Sequence, residues 1–102
     1  MDNLTTETND GWNYVRYSNG VGAWGFCRFD VYRGYIDFIS VYPHNQKIGT
    51  QVLAKAEGVL RDHGHKVVKL APLVGVEGFY KKNGYFQSWW DIWRPHVWRK
   101  RL

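Results

Sequence analysis

Cysteine is almost absent from this 102-residue chain, Cys27 being the only one. A lone thiol excludes an internal disulfide framework and fits a reducing compartment; set among aromatics, it reads as a buried structural group. Long apolar runs are missing too. None approaches the ~18 residues of a membrane helix, and the polar, acidic start from Met1 to Asp10 has no signal-peptide core, so a soluble, cytoplasmic protein with no membrane partner is expected. There is no Gly-x-Ser-x-Gly elbow and no Walker-type loop, which leaves hydrolase and nucleoside-triphosphatase readings without support. His63 and His65 with Asp62 have metal-ligand residue types, but one such cluster at a helix end, without cysteine partners, reads as a solvated turn, and no metal is assigned. Acidic residues are also missing from the C-terminal end. After Tyr80 there are six basic residues against Asp91 alone, whereas the first eighty residues balance, so the whole formal charge of +5 arises in the last fifth of the chain.

What is present supports one compact domain. Hydrophobic residues make up 44% of the chain and aromatics 18%, enough for a single core that folds without metal or disulfide. Residues 1–10 have neither helical nor strand period and read as a flexible leader, disordered or forming a short edge segment, ahead of a single domain over 11–102. From Trp12 the residues become β-prone. Trp12–Tyr17 meets Ala23–Tyr32 across Asn19-Gly20, and Arg33-Gly34 turns into Tyr35–Tyr42, predicting an antiparallel meander.

Ile48, Val52, Leu53, Ala56, Val59 and Leu60 then recur at helical spacing, with Gly64 placed to end the helix. Val67–Ala71 reads as a strand stopped by Pro72. Strand, helix and strand in this order make a right-handed crossover, so the strands ending at Val41 and Ala71 are expected side by side or nearly so. A shorter helix is predicted from about Gly75 to Asn83, followed by strands at Tyr85–Trp90 and His96–Lys100.

The segments Val41–Glu57 and Phe79–Tyr85 carry a resemblance to the GNAT superfamily of N-acetyltransferases, covering roughly residues 12–102. It implies an α/β (α+β) acyl-CoA N-acyltransferase fold: a twisted mixed sheet with an antiparallel N-terminal meander, a β-α-β crossover and a second short helix, here lacking the family's first strand and first two helices. In the family the fourth strand ends near the acyl-CoA thioester, a Gln/Arg-x-x-Gly-x-Gly/Ala loop wraps the pyrophosphate, and the following helix points its N-terminus at the phosphates. Unpaired N–H groups and the macrodipole at a helix start favour an anion there. In this chain the loop is His44-Asn-Gln-Lys-Ile-Gly49, with His44 in place of Gln/Arg and Lys47 in place of the first glycine. The resemblance nominates Asn45, Gln46, Lys47, Ile48, Gly49 and Thr50 for the pyrophosphate, and Ile39, Ser40 and Val41 for the thioester carbonyl. Leu73 replaces an asparagine that often contacts the pantetheine arm.

For chemistry, the resemblance puts Asp37 forward as base, directly or through water, and Tyr80 as the acid that protonates the leaving thiolate. Both residues also have plain readings. Asp37 can balance Arg28 or Arg33 across strands, and Tyr80 can anchor its helix beside Phe79. The implied activity is transfer of acetyl from acetyl-CoA to an amine, on a protein or other macromolecule given the short acceptor wall. The stretch Trp89–Arg101, with four of the six tryptophans among four basic residues, carries the other reading. It describes either packing or a homodimer contact, or a non-catalytic module that binds a protein or nucleic acid through that end.

Overall fold

The computed structural model of the protein describes residues 3–44, 46–73, 75–87 and 97–102, with the backbone alone at Gln46. Six strands form one sheet in chain order: β1 (Asn3–Asn9), β2 (Trp12–Ser18), β3 (Trp24–Asp30), β4 (Tyr35–Tyr42), β5 (Val67–Leu70) and β6 (Trp98–Arg101). All neighbours are antiparallel except β4 and β5, which are joined through helix α1 (Gln46–Asp62). The architecture is therefore mixed α+β, with a mostly antiparallel sheet. A second helix, α2 (Glu77–Lys82), follows β5, and Phe86 bridges Arg99 at the far side of β6.

Of the two alternatives for the N-terminal residues, the structure shows the edge segment and not a flexible leader: residues 3–9 are an edge strand paired along its whole length with β2. The cause is Asp10-Gly11, which links paired Asn9 and Trp12 with positive φ at both positions, 55° and 81°. That is the type I′ geometry whose twist matches antiparallel strands. At the next hairpin Asn19-Gly20 opens a longer loop, in which the Asn19 carboxamide oxygen accepts the N–H groups of Val21 and Ala23 at 2.9 and 3.0 Å.

Both helices end as their glycines dictate. After α1, His65 N–H returns to the Leu60 carbonyl and Gly64 N–H to Arg61; after α2, Tyr85 returns to Tyr80 and Gly84 to Lys81. Both are Schellman closures built on glycine at positive φ. The core lies on one side of the sheet. Val15, Cys27, Phe29 and Ile36 face Val52, Leu53, Ala56 and Leu60 of α1, and Val68 and Leu70 continue the layer. Close approach of α1 to β3 depends on Gly25, where a Cβ would stand 2.9 Å from the Cγ2 atoms of both Ile48 and Val52. Gly25→Ala is expected to cost about 1–3 kcal/mol by overpacking, read as a lower urea midpoint.

The expected final strands are only partly described. Trp98–Arg101 is β6, whereas residues 88–96, which carry most of the predicted tryptophan-rich stretch, lie outside the described residues. Among the described residues no helix is long and apolar enough to cross a membrane.

Candidate functional site where the fourth and fifth strands part

The parallel strands β4 and β5 pair only at Tyr35 with Lys69 and Ile36 with Leu70. Beyond that point Asp37–Tyr42 continues along β3 while the chain leaves β5 through Ala71-Pro72. The separation opens a cleft of about 660 Å³ between β4, the start of α1 and α2. Ile36 and Leu70 meet at its narrow end. Phe38 and Ser40 line it from one face of the sheet and Ile39 and Val41 from the other, so the cleft passes through the plane of the sheet.

Where this cleft reaches α1 it meets His44 and Gly49. The first turn of α1 holds no acidic residue and includes Lys47, so nothing acidic within that turn offsets the positive end of the helix dipole. Gly49 has a packing role as well. A Cβ there would lie 3.0 Å from the ring of Phe79, so the missing side chain lets α2 sit directly on the opening turn of α1. Ile48 is buried in the core, leaving only its backbone for any ligand, and the side chains of Lys47 and Thr50 are exposed outside the cleft lining. Asn45 and the Gln46 side chain lie outside the described residues. Leu73 is 76% exposed at the rim.

Asp37 lines the cleft and is also paired across the strands with Arg28, one of the two partners its plain reading named. The register explains how. Arg28 pairs with Phe38 and Phe29 with Ile36, leaving Asp37 as the extra residue of a β-bulge. The bulge turns its carboxylate toward Arg28, whose Nε–H donates to Oδ2 at 2.8 Å and whose Nη2 donates to the same oxygen. Oδ1 takes no part in this pair. The hydrogen bond to Asp37 pushes the Arg28 guanidinium up from its ordinary value. The guanidinium also lies 4.5 Å from the centre of the Trp12 ring and 5.1 Å from that of Phe38.

Tyr80 enters the cleft from α2 with its ring held edge-on by Phe79 and Tyr85, at centroid distances of 5.1 and 5.8 Å. Burial, with a smaller contribution from Cys27, pushes its phenol up to about 12, so it stays protonated throughout the neutral range. Burial raises Cys27 and Tyr85 as well, with Glu57 adding to both. All three ionise more readily in the unfolded chain than in the folded one. Their contribution to stability is therefore complete below their unfolded values, about 8.5 for the thiol and 10 for the phenols, and declines as pH rises past them. Urea midpoints are expected to hold from pH 7 to 8 and to fall steadily above pH 9.

Sequence reasoning missed the polar group behind Tyr80. Glu57, on the inner stripe of α1 and 5% exposed, accepts the Tyr85 hydroxyl at 2.6 Å and the Lys100 ammonium at 3.0 Å. The one signal in the chain is phase: Glu57 falls four residues after the core residue Leu53. Through the Tyr85 ring this buried group reaches Tyr80, so it helps fix the back wall of the cleft. Among the described residues no group of three His, Cys, Asp or Glu is placed to hold a metal. Compared with known proteins, the chain matches no family model, no curated protein and no solved structure.

Proposed function

We propose that this protein binds acetyl-CoA in the β4–β5 cleft and transfers its acetyl group to an amine on a protein or another macromolecule. The observation that carries the reading is the parting of β4 from β5, because the cleft so formed gathers Asp37, Ile39, Ser40, Val41, His44, Gly49 and Tyr80 from β4, the loop after it, α1 and α2. The residues fit the group they would hold. Apolar walls suit a pantetheine arm, the start of α1, with no acidic residue in its first turn, suits a pyrophosphate, and β4 beyond its last pair with β5 offers backbone N–H groups to a thioester oxygen.

In this reading the amine attacks the thioester carbonyl, forming a C–N bond, and the C–S bond breaks to release the CoA thiolate. Because a free Lys has a pKa of ~10.4, only about one molecule in ~10³ is neutral at pH 7, and Asp37 Oδ1 would hold the water that takes the departing ammonium proton. Tyr80 donates a hydrogen bond to the sulfur. A phenol near 12 stands some three units above a typical thiol at ~8.5, so the transfer is uphill by about 4–5 kcal/mol at rest. The proton therefore moves only as negative charge builds on sulfur. The test is incubation with acetyl-CoA and a panel of amine-bearing peptides, followed by mass spectrometry. A one-acetyl mass gain that depends on the protein is expected, and CoA release without any acetylated acceptor would contradict amine transfer.

A further inference from the structure

At one end of the sheet the outer edge of β1 has no neighbouring strand among the described residues, and the register fixes which of its backbone groups point there. Asn9 and Trp12 flank the two-residue Asp10-Gly11 turn, so they exchange hydrogen bonds with one another. Bonded and non-bonded pairs alternate along an antiparallel ladder, which makes Glu7, Thr5 and Asn3 the next residues bonded to β2. Leu4, Thr6 and Thr8 therefore turn their N–H and C=O groups outward, where another strand would satisfy them.

Edge strands are ordinarily blunted by lysine, proline, a bulge or very short length. β1 uses none of these devices. It runs from Asn3 to Asn9 without lysine or proline and pairs with β2 without a shift of register. The opposite end of the sheet differs, since Phe86 bridges Arg99 on the far side of β6.

The sequence of β1 says which strand the edge fits. Read backwards against itself, Asn-Leu-Thr-Thr-Glu-Thr-Asn sets Thr6 opposite Thr6, Thr5 opposite Glu7, Leu4 opposite Thr8 and Asn3 opposite Asn9. In that register the outward-facing residues meet one another, giving roughly six backbone hydrogen bonds, two for each pair formed by Leu4, Thr6 and Thr8. The side chains agree with the backbone. Thr6 meets its own counterpart on the two-fold axis, and the Thr5 hydroxyl can donate to the Glu7 carboxylate. Glu7 is the only charged residue of β1 and is already bonded to Arg16 of its own copy, so no bare like charges face each other. A shift of one residue would bring outward groups against inward ones, and a shift that sets Glu7 opposite Glu7 would oppose like charges.

We propose that this protein forms a symmetric homodimer in which β1 pairs antiparallel with β1 of a second copy, making one continuous sheet. The contact closes on itself, because it consumes the open edge of both copies. β2 and β3 separate it from the β4–β5 cleft, so the dimer leaves both clefts accessible and does not rest on acyl transfer.

The test is sedimentation equilibrium from about 1 to about 500 μM protein. A reversible monomer–dimer equilibrium of micromolar strength is expected, since an edge-to-edge contact is small. Thr6 is exposed, and Thr6→Pro removes its outward N–H without touching the pairing to β2. That variant should weaken the dimer by about tenfold or more, while far-ultraviolet circular dichroism stays unchanged. Thr6→Lys and Thr6→Glu each place like charges on the two-fold axis and should each weaken self-association severalfold. Mixed together they should pair with one another, a rescue that neither a misfolded variant nor a different interface would give. A monomer at every concentration, a folded Thr6→Lys variant that dimerises at full strength, no pairing on mixing, or assembly beyond two copies would overturn the proposal.

Discussion

Tyr80→Phe is expected to lower acetyl-transfer turnover by about 10²–10³ while leaving acetyl-CoA affinity and thermal stability nearly unchanged. The separation of effects follows from how the residue is held. Its ring makes the contacts to Phe79 and Tyr85, and phenylalanine keeps that ring. Only the hydroxyl at the cleft is lost. The hydrogen bond to sulfur strengthens only as the C–S bond breaks, so its loss raises the transition state more than the bound thioester, and kcat falls while KM hardly moves. Steady-state kinetics with whichever acceptor the peptide panel identifies, set beside a melting curve, gives both readings. Unchanged kcat would reduce Tyr80 to a helix anchor.

The second large effect concerns stability. Glu57→Ala is expected to cost about 3 kcal/mol, the lower end of the range for breaking a buried pair, because the Lys100 side chain keeps 28% of its surface in water and can recover part of its hydration. In a domain of this size that lowers Tm by on the order of 15 °C. The loss comes from what is left behind: the Tyr85 hydroxyl and the Lys100 ammonium both lose the acceptor they share. Removing the whole polar group together, as Glu57→Leu with Tyr85→Phe and Lys100→Met, should therefore restore most of the stability lost in the single variant. Thermal melts of both variants decide the point. A single variant as stable as the parent would show that Glu57 is not a buried partner at all.

How much could be read from the chain varied with where each signal lies. α1 was legible because its apolar spacing is its burial stripe and Gly64 is its terminating residue, both local properties. The strand-loop-helix at the cleft was legible for the same reason, being contiguous from β4 to α1. β1 was not, since an edge strand with solvent on both faces has no alternation to display, and six of its seven residues are exposed. Its only signature was the Asp-Gly turn. The bulge at Asp37 also left no trace, because a bulge is a mismatch between two strands and cannot be seen in either alone. Glu57 was hidden by a different rule. A glutamate in a helix ordinarily faces water, and what draws this one inward, Tyr85 and Lys100, lies 28 and 43 residues further along the chain.

The claim on which the functional reading depends is that the β4–β5 cleft holds an acyl-CoA. Thermal unfolding of the purified protein with and without excess acetyl-CoA tests it without knowledge of the acceptor. Ligand at ~100 times its dissociation constant adds about 2.7 kcal/mol, which for a domain of this size raises Tm by on the order of 10 °C. That rise is the expected result. An unchanged melting temperature at millimolar acetyl-CoA would contradict a cofactor site in the cleft.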